Sequence, residues 1–244
     1  MYSAHTIRGY SFRGYNERFD INQDFRTNGL NSLNWAHIYS INRVYEEVLV
    51  PLLSKEKADE IRKVTYLAKG HLTPAADFVL PSSKRATYFY ANVVPQWQRI
   101  NNGCWKSLEN TIRNYAKDHN GDLKVYTGVY GVLHLKGVNN VDVPIYLNGI
   151  TVPVPKYMWK IVCSQTNTCI GFVVLNHPFN NETISIEEVC KNICEDTKWH
   201  RAAFENNGKV TCCDVNVLKA KFNILKNLYV RNVLNGSQNG RSQG

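Results

Sequence analysis

A chain of 244 residues with 43% hydrophobic and 20% charged composition can bury one sizeable core, which favours a single α+β domain over residues 1–244 with decorations. Its formal net charge of +9 favours a polyanionic partner over an acidic one. No internal repeat is present, and the first 32 residues carry no apolar run, so they read as neither a signal peptide nor a membrane span, and no membrane partner is expected.

In chain order, residues 1–32 set Arg8, Arg13, Arg18 and Arg26 among Gly, Asn and Tyr, a polar leading segment that is either solvated or in contact with a nucleic-acid backbone. Met1 suits an initiator added to a mature fragment. Leu33 to Leu53 is partly helical in period and stops at Pro51; Arg43 within it could reach a phosphate or simply pack. Lys55 to Lys63 reads as a short charged helix or loop. Val64 to Leu67 is a short strand, after which His71 stands in a loop between Lys69-Gly70 and Thr73-Pro74. Ala86 to Val94 is β-branched and aromatic and ends at Pro95, a second strand holding Asn92, with Gln96 just beyond it.

An amphipathic helix follows. Stepping about 100° per residue from Asn101, the side chains of Trp105, Leu108, Ile112 and Tyr115 fall within about 40° of it and form an apolar stripe. Glu109 and Arg113 lie on one flank, four residues apart, where they can pair. Asn101 near the helix start either caps free N–H groups or points into a site, and Gly103 argues for a helix start a residue or two later. Loop, strand and helix thus bring His71, Asn92, Asn101, Glu109 and Arg113 within reach of one another.

Downstream, residues 118–122 form a turn, and Leu123 to Leu135 has strand character. Val138 to Val154 is punctuated by Asn, Gly and Pro and reads as loops joining short strands. Tyr157 to Val162 and Ile170 to Leu175 are strands of a hairpin closed by Cys163 to Cys169. Ser185 to Cys194 looks helical, Val215 to Leu234 reads as a C-terminal helix, and 236–244 as a disordered tail. Seven cysteines point to an oxidising compartment, with Cys163 facing Cys169, Cys190, Cys194, Cys212 and Cys213 clustered, and Cys104 left over. Two disulfides or a structural zinc both suit the cluster, and adjacent Cys212-Cys213 strains tetrahedral ligation. Sequons at Asn181 and Asn235 agree with secretion.

The run Lys69-Gly70-His71-Leu72-Thr73-Pro74-Ala75-Ala76-Asp77-Phe78, followed by Asn92-Val93-Val94-Pro95-Gln96, Asn101, Trp105, Leu108-Glu109 and Arg113, resembles the DNA/RNA non-specific endonuclease family. The resemblance covers about residues 60 to 175, with 126–128 and 152–160 as the next strands, and has the flavour of secreted arthropod nucleases. It implies a ββα-metal fold with a central antiparallel sheet and flanking helices. His71 would be the general base, neutral near pH 7. Asn101 would be the protein ligand of Mg²⁺, with Mn²⁺ as a possible substitute, and Glu109 would hold a metal-bound water. Arg113 would pair with Glu109 or the scissile phosphate, while Asn92 and Gln96 would orient the base or the phosphate. The family's arginine before Gly-His is Lys69 here, which keeps the charge for phosphate contact but loses the bidentate fork.

Two function classes remain. One is a secreted Mg²⁺-dependent endonuclease cutting DNA and RNA, single or double stranded, to 5′-phosphate ends. The other is a catalytically inactive nucleic-acid-binding protein of the same fold. A zinc hydrolase would need a histidine pair at ligand spacing, and none is present.

Overall fold

The computed structural model describes residues 2–9, 33–179 and 186–236. The chain enters as strand β1 (Tyr2–Ile7), whose residues pair antiparallel with 123–128 at the edge of the main sheet. The part of the polar leading segment that is described is therefore ordered: alternating exposure along β1 ends in the buried Ile7, and the backbone takes its ladder from the sheet. The expectations for Arg13, Arg18 and Arg26 fall outside the described residues.

Helices α1 (Trp35–Ile38), α2 (Ile41–Arg43) and α3 (Val50–Leu53) follow, with a π-helical stretch at Val44–Leu49 between the last two. Pro51 does not stop this run: the helical backbone passes from the π-helical stretch, in which Val50 N bonds Tyr45 O, through Pro51 to Leu53. The charged segment forms α4 (Lys55–Val64), which extends through Val64 and so displaces the expected strand to β2 (Leu67–His71). His71 is accordingly the last residue of a strand rather than part of a loop.

Helix α5 (Pro81–Ala86) and a 3-10 turn at Tyr90–Asn92 replace the start of the expected second strand, and β3 begins only at Val93 and runs through Pro95 to Trp97. A proline is tolerated there because β2 and β3 form a separate two-stranded ladder, in which Lys69 stands opposite Pro95. The outer edge of β3 is closed by a side chain. The buried Asn176 carboxamide accepts from Trp97 N at 3.0 Å and donates to Pro95 O at 3.2 Å and Pro155 O at 3.0 Å, fastening the hairpin to the main sheet.

The chain then reverses into a helical run at 98–118, made of α6 (Gln98–Ile100), a π turn at Asn101–Trp105 and α7 (Lys106–Asp118). The helix begins earlier than Gly103 suggests. Gly103 breaks the turn locally (φ −98°, ψ −119°), and a Cβ there would stand 2.4 Å from Asn206 O, so a glycine is required by close approach of the 206–207 turn.

Strands β4 (Leu123–Val132), β5 (His134–Lys136), β6 (Asp142–Pro144), β7 (Pro155–Ser164), β8 (Thr168–Leu175), β9 (Val210–Cys213) and β10 (Asn232–Val233) complete the described sheets. The main sheet runs β1-β4-β7-β8-β10, with β9 also on β8, and every pairing is antiparallel except β8 with β10. This is an α+β architecture. Strand β7 is buried on both faces: Met158 and Val162 join the core shared with Trp105, Leu108 and Ile112, whereas Tyr157, Trp159 and Ile161 join a second core with Leu218 and Phe222 of α8 (Val215–Phe222). Period-two alternation therefore places Lys160 on the face that meets α7.

Near the C-terminus the expectation of a helix through Leu234 is corrected: α8 ends at Phe222, with Asn223 left-handed (φ 51°), and the chain later returns as β10. Between 186 and 194 only a 3-10 turn at Ile186–Glu188 forms, because Cys190 and Cys194 are tied to β9 as Cys190–Cys213 and Cys194–Cys212. With Cys163–Cys169 these are three disulfides, they exclude a zinc on the same sulfurs, and Cys104 is a buried free thiol. Gly236 is buried and donates to Thr197 O at 2.7 Å, so it belongs to the fold rather than to a tail; 237–244 lie outside the described residues. Among the described residues no helix is long and apolar enough to cross a membrane.

The β2–β3 ladder depends on Gly70, where a Cβ would stand 2.7 Å from Gln96 Cβ and 2.4 Å from its Oε1. Gly70→Ala is expected to destabilise the protein by about 1–3 kcal/mol through overpacking, read as a lower urea midpoint; an unchanged midpoint would contradict this packing.

Candidate active site

His71 closes β2 opposite Val93. The chain just after it is held by Asn92, whose backbone O accepts from Leu72 N at 2.9 Å. Its carboxamide accepts from Thr73 N at 3.0 Å and donates to Thr73 O at 2.8 Å and Thr87 O at 3.0 Å. All of these Asn92 bonds go to backbone, so its place is to fix the turn that carries His71. The imidazole is largely buried, edge-on to the Tyr88 ring with centroids 4.9 Å apart. Burial pulls its pKa down from 6.5 to about 4, so the ring is neutral throughout the physiological range.

Beneath this turn lies Lys160, with 1% of its side chain exposed. Its Nζ donates to Leu72 O at 3.3 Å and Thr127 Oγ1 at 2.9 Å, lies 3.7 Å from Glu109 Oε1 and sits 4.7 Å from the Trp105 ring centroid. Burial raises the Glu109 carboxyl above the usual carboxylate range, opposed mainly by the Lys160 charge. Burial likewise lowers the Lys160 ammonium, opposed by the Glu109 and Asp77 carboxylates. Each ion is the condition for the other's remaining charged.

Arg113 does not pair with Glu109. Its Nη1 is 2.6 Å from Asp77 Oδ1 and its Nη2 donates to Asn110 Oδ1. Asp77 Oδ2 meets His5 Nε2 at 2.7 Å, and His5 Nδ1 lies 3.4 Å from Thr73 Oγ1, which also donates to Ser3 Oγ at 2.8 Å. Burial pushes the Asp77 carboxyl up, but the His5 hydrogen bond and the His5, Arg113 and Lys160 charges outweigh it and hold the pKa below its usual value. In the sequence Asp77 stands out only as a motif letter, and Lys160 only as a strand residue. His5 gives no signal there, because its partner is 72 positions away.

The remaining expected residues are placed differently. Lys69 is half-buried with Nζ 5.8 Å from the Tyr90 ring centroid. Gln96 is fully buried against Gly70, and neither its Oε1 nor its Nε2 has a hydrogen-bond partner among the described residues. Asn101 is not an N-cap: it stands in the π turn, where its Nδ2 donates to Gln98 Oε1 at 3.2 Å and its Oδ1 accepts no hydrogen bond among the described residues.

The ladder register shows where the helical run begins. Trp97 pairs with Leu67 and Gln98 N bonds Tyr66 O, so the helical run starts at the end of the hairpin opposite His71. Lys160 Nζ meets both Leu72 O and the Glu109 carboxylate, so Glu109 stands at the His71 end of the hairpin, and at about 1.5 Å per helical residue Asn101 lies roughly 12 Å from it along the run. His71, Asn92, Glu109 and Arg113 therefore belong to one bonded cluster through Leu72, Thr73, Lys160 and Asp77. Asn101 is not bonded into that cluster and stands eight residues before Glu109 on the same helical run.

A two-stranded antiparallel hairpin ending in a histidine and crossed by a helix bearing Asn, Glu and Arg is a ββα unit. The chain belongs to the DNA/RNA non-specific endonuclease family, whose model matches residues 1–224. It is 31% identical over 219 residues to a salivary endonuclease of Lutzomyia longipalpis, covering 87% of this chain and 52% of that protein. It is 32% identical over 162 residues to salivary protein Tsal1 of Glossina morsitans morsitans (63% and 39%) and 28% identical over 158 residues to a salivary endonuclease of Culex quinquefasciatus (61% and 42%). The chain thus spans about half the length of these relatives, or less. A structure described as the EndoG/EndoGI complex is similar over 48% of this chain and 50% of that one, at 24% identity and a TM-score of 0.37.

The desolvated imidazole gives a direct expectation. In an NMR titration the His71 ring resonances should stay in the neutral form from pH 8 to about pH 5 and titrate near pH 4. A midpoint close to 6.5 would show a hydrated ring and contradict the burial.

Proposed function

We propose that the chain is a secreted, metal-dependent endonuclease that hydrolyses phosphodiester bonds of DNA and RNA to 5′-phosphate ends, with the described residues acting as one nuclease unit. The observation that carries this reading is the neutral His71, fixed by Asn92 and joined through Lys160 to Glu109 within a ββα unit. Membership of the family and the likeness to salivary endonucleases support it. Three disulfides support an oxidising, extracellular setting.

The residues present suit a magnesium ion. Asn101 has its amide nitrogen engaged by Gln98 and its carbonyl oxygen available, and Glu109, eight residues further along the run, supplies a second hard oxygen donor that would act through a metal-bound water. Such an ion, or Mn²⁺ in its place, would supply charge stabilisation at the phosphate and the leaving 3′ oxygen. His71, neutral at working pH, accepts a proton from the attacking water at a ring nitrogen. Lys160 holds the Glu109 carboxylate ionised and orients the Leu72 carbonyl next to the base. Asp77 keeps the Arg113 guanidinium extended, leaving its remaining N–H groups for the phosphate. Lys69 adds a positive charge at the end of β2 for the same group. Asn92 and Gln96 act from beneath, Asn92 through the backbone after His71 and Gln96 through its packing on Gly70.

Plasmid DNA should be cleaved in Mg²⁺ and left intact in EDTA, and His71→Ala should lower the rate about 10²–10⁴-fold while DNA binding persists. Cleavage that ignores EDTA would overturn the metal requirement. Binding without cleavage by the native chain would leave the inactive nucleic-acid-binding protein as the reading.

A further inference from the structure

Beside Asn101, but on the opposite end of the hairpin from His71, the described residues enclose an open cavity of about 600 Å³. It lies between the end of α4 and the start of the helical run, lined by Arg62, Lys63, Gln98, Arg99, Asn102 and Asn207 among others. Its lining carries three cations and no carboxylate.

Arg99 is held in place rather than left to solvent. Its Nη1 donates to Pro178 O at 3.0 Å and its Nη2 to Asn207 Oδ1 at 3.4 Å, while its Nε is buried without an acceptor among the described residues. Arg62 is likewise positioned, with its guanidinium 4.4 Å over the Tyr45 ring and Nη2 donating to Asn42 Oδ1 at 3.4 Å. Lys63 is exposed next to it. Three like charges around one concavity repel each other unless an anion joins them, and two of them keep a fixed orientation through neutral acceptors. Gln98 both lines this cavity and holds the Asn101 carboxamide, so whatever occupies the cavity lies within one helical turn of Asn101.

We propose that this cavity is a backbone phosphate subsite, taking phosphodiester groups of the nucleic-acid strand on the Asn101 side of the scissile bond. The inference rests on the nuclease reading and adds to it the direction in which the bound strand runs: from His71, past Asn101, over Gln98 and into the Arg62, Lys63 and Arg99 cluster. Contacts of this kind go to phosphate and carry no base preference, which suits non-specific cleavage. A substrate too short to extend beyond the scissile group gains nothing from them.

The test is the salt dependence of binding by the full chain to a labelled 20-base-pair DNA duplex, in a His71→Ala background with EDTA so that binding is read without cleavage. Arg62→Gln/Lys63→Gln should lower the magnitude of the slope of log K against log salt by roughly 1.8, at about 0.9 for each phosphate that is no longer neutralised. In the otherwise native chain the same pair should leave hydrolysis of bis(p-nitrophenyl) phosphate within about twofold. Val64→Glu, which removes no cation and adds a carboxylate at an exposed lining position, should also weaken duplex binding and guards against a loss caused by misfolding. Unchanged slope and affinity in both variants would overturn the subsite, as would an equal loss on the short substrate. If the parent chain itself binds without salt dependence, the nucleic-acid reading fails, and that outcome is distinct from failure of the subsite alone.

Discussion

The ammonium of Lys160 is the contact on which the rest of the site depends. A lysine with 1% of its side chain exposed would lose its proton unless its hydration were replaced. Here a carbonyl from the turn after β2, a hydroxyl from β4, a carboxylate from α7 and the face of Trp105 replace it. Those four partners come from the three parts that must be assembled: the hairpin, the central sheet and the crossing helix. The buried ammonium therefore ties the helix to the hairpin and opposes the rise that burial imposes on the Glu109 carboxyl. Removing one member of such a pair typically costs about 3–5 kcal/mol, because the other is left buried and uncompensated.

The two halves of the molecule are stabilised in different ways. The disulfides join β7 to β8 and the 190–194 segment to β9: Cys163–Cys169 and Cys190–Cys213 lie in the core with Trp159 and Leu218, and Cys194–Cys212 in the core shared with α7. None links two parts of the ββα unit, which is held by polar contacts: Lys160 with Glu109, Asp77 with Arg113 and His5, Asn92 on the Thr73 backbone, and Asn176 on the edge of β3. Cys104 lies in that unit as a thiol whose pKa burial pushes up to about 12, so it is a packing residue and not a nucleophile. Covalent ties define the frame, and charge defines the site.

Much of the site is legible in the sequence because its signals are local. The stripe through Trp105, Leu108 and Ile112 follows from helical period alone, and the Gly-His and Asn-x-x-Pro-Gln spacings survive as a register, Lys69 to His71 opposite Val93 to Pro95. Whether Asn101 is an N-cap is settled only by the backbone, since the helix starts at Gln98. Partners far apart in the chain leave no trace: His5 with Asp77, Lys160 with Leu72, and Asn176 with Pro95 all arise from tertiary packing across 72 to 88 positions. Proline misleads twice: at Pro51 the run passes out of a π-helical stretch and carries on, and Pro95 lies in a two-stranded ladder separate from the main sheet. The 190–213 region misleads because cross-links, rather than propensity, decide its backbone.

If the Lys160 charge holds Glu109 ionised, its removal must appear in the pH dependence of the proposed nuclease reaction and not only in stability. The direct measurement is the pH profile of kcat/KM on DNA for Lys160→Met beside the native chain, restricted to pH values at which both remain folded. The acid limb should move upward by about one to three units, with activity partly recovered at alkaline pH, since a nearby opposite charge lowers a carboxyl by that amount. A uniform loss across the range with the limb unmoved would mean that Lys160 is only a packing residue, and would contradict the account.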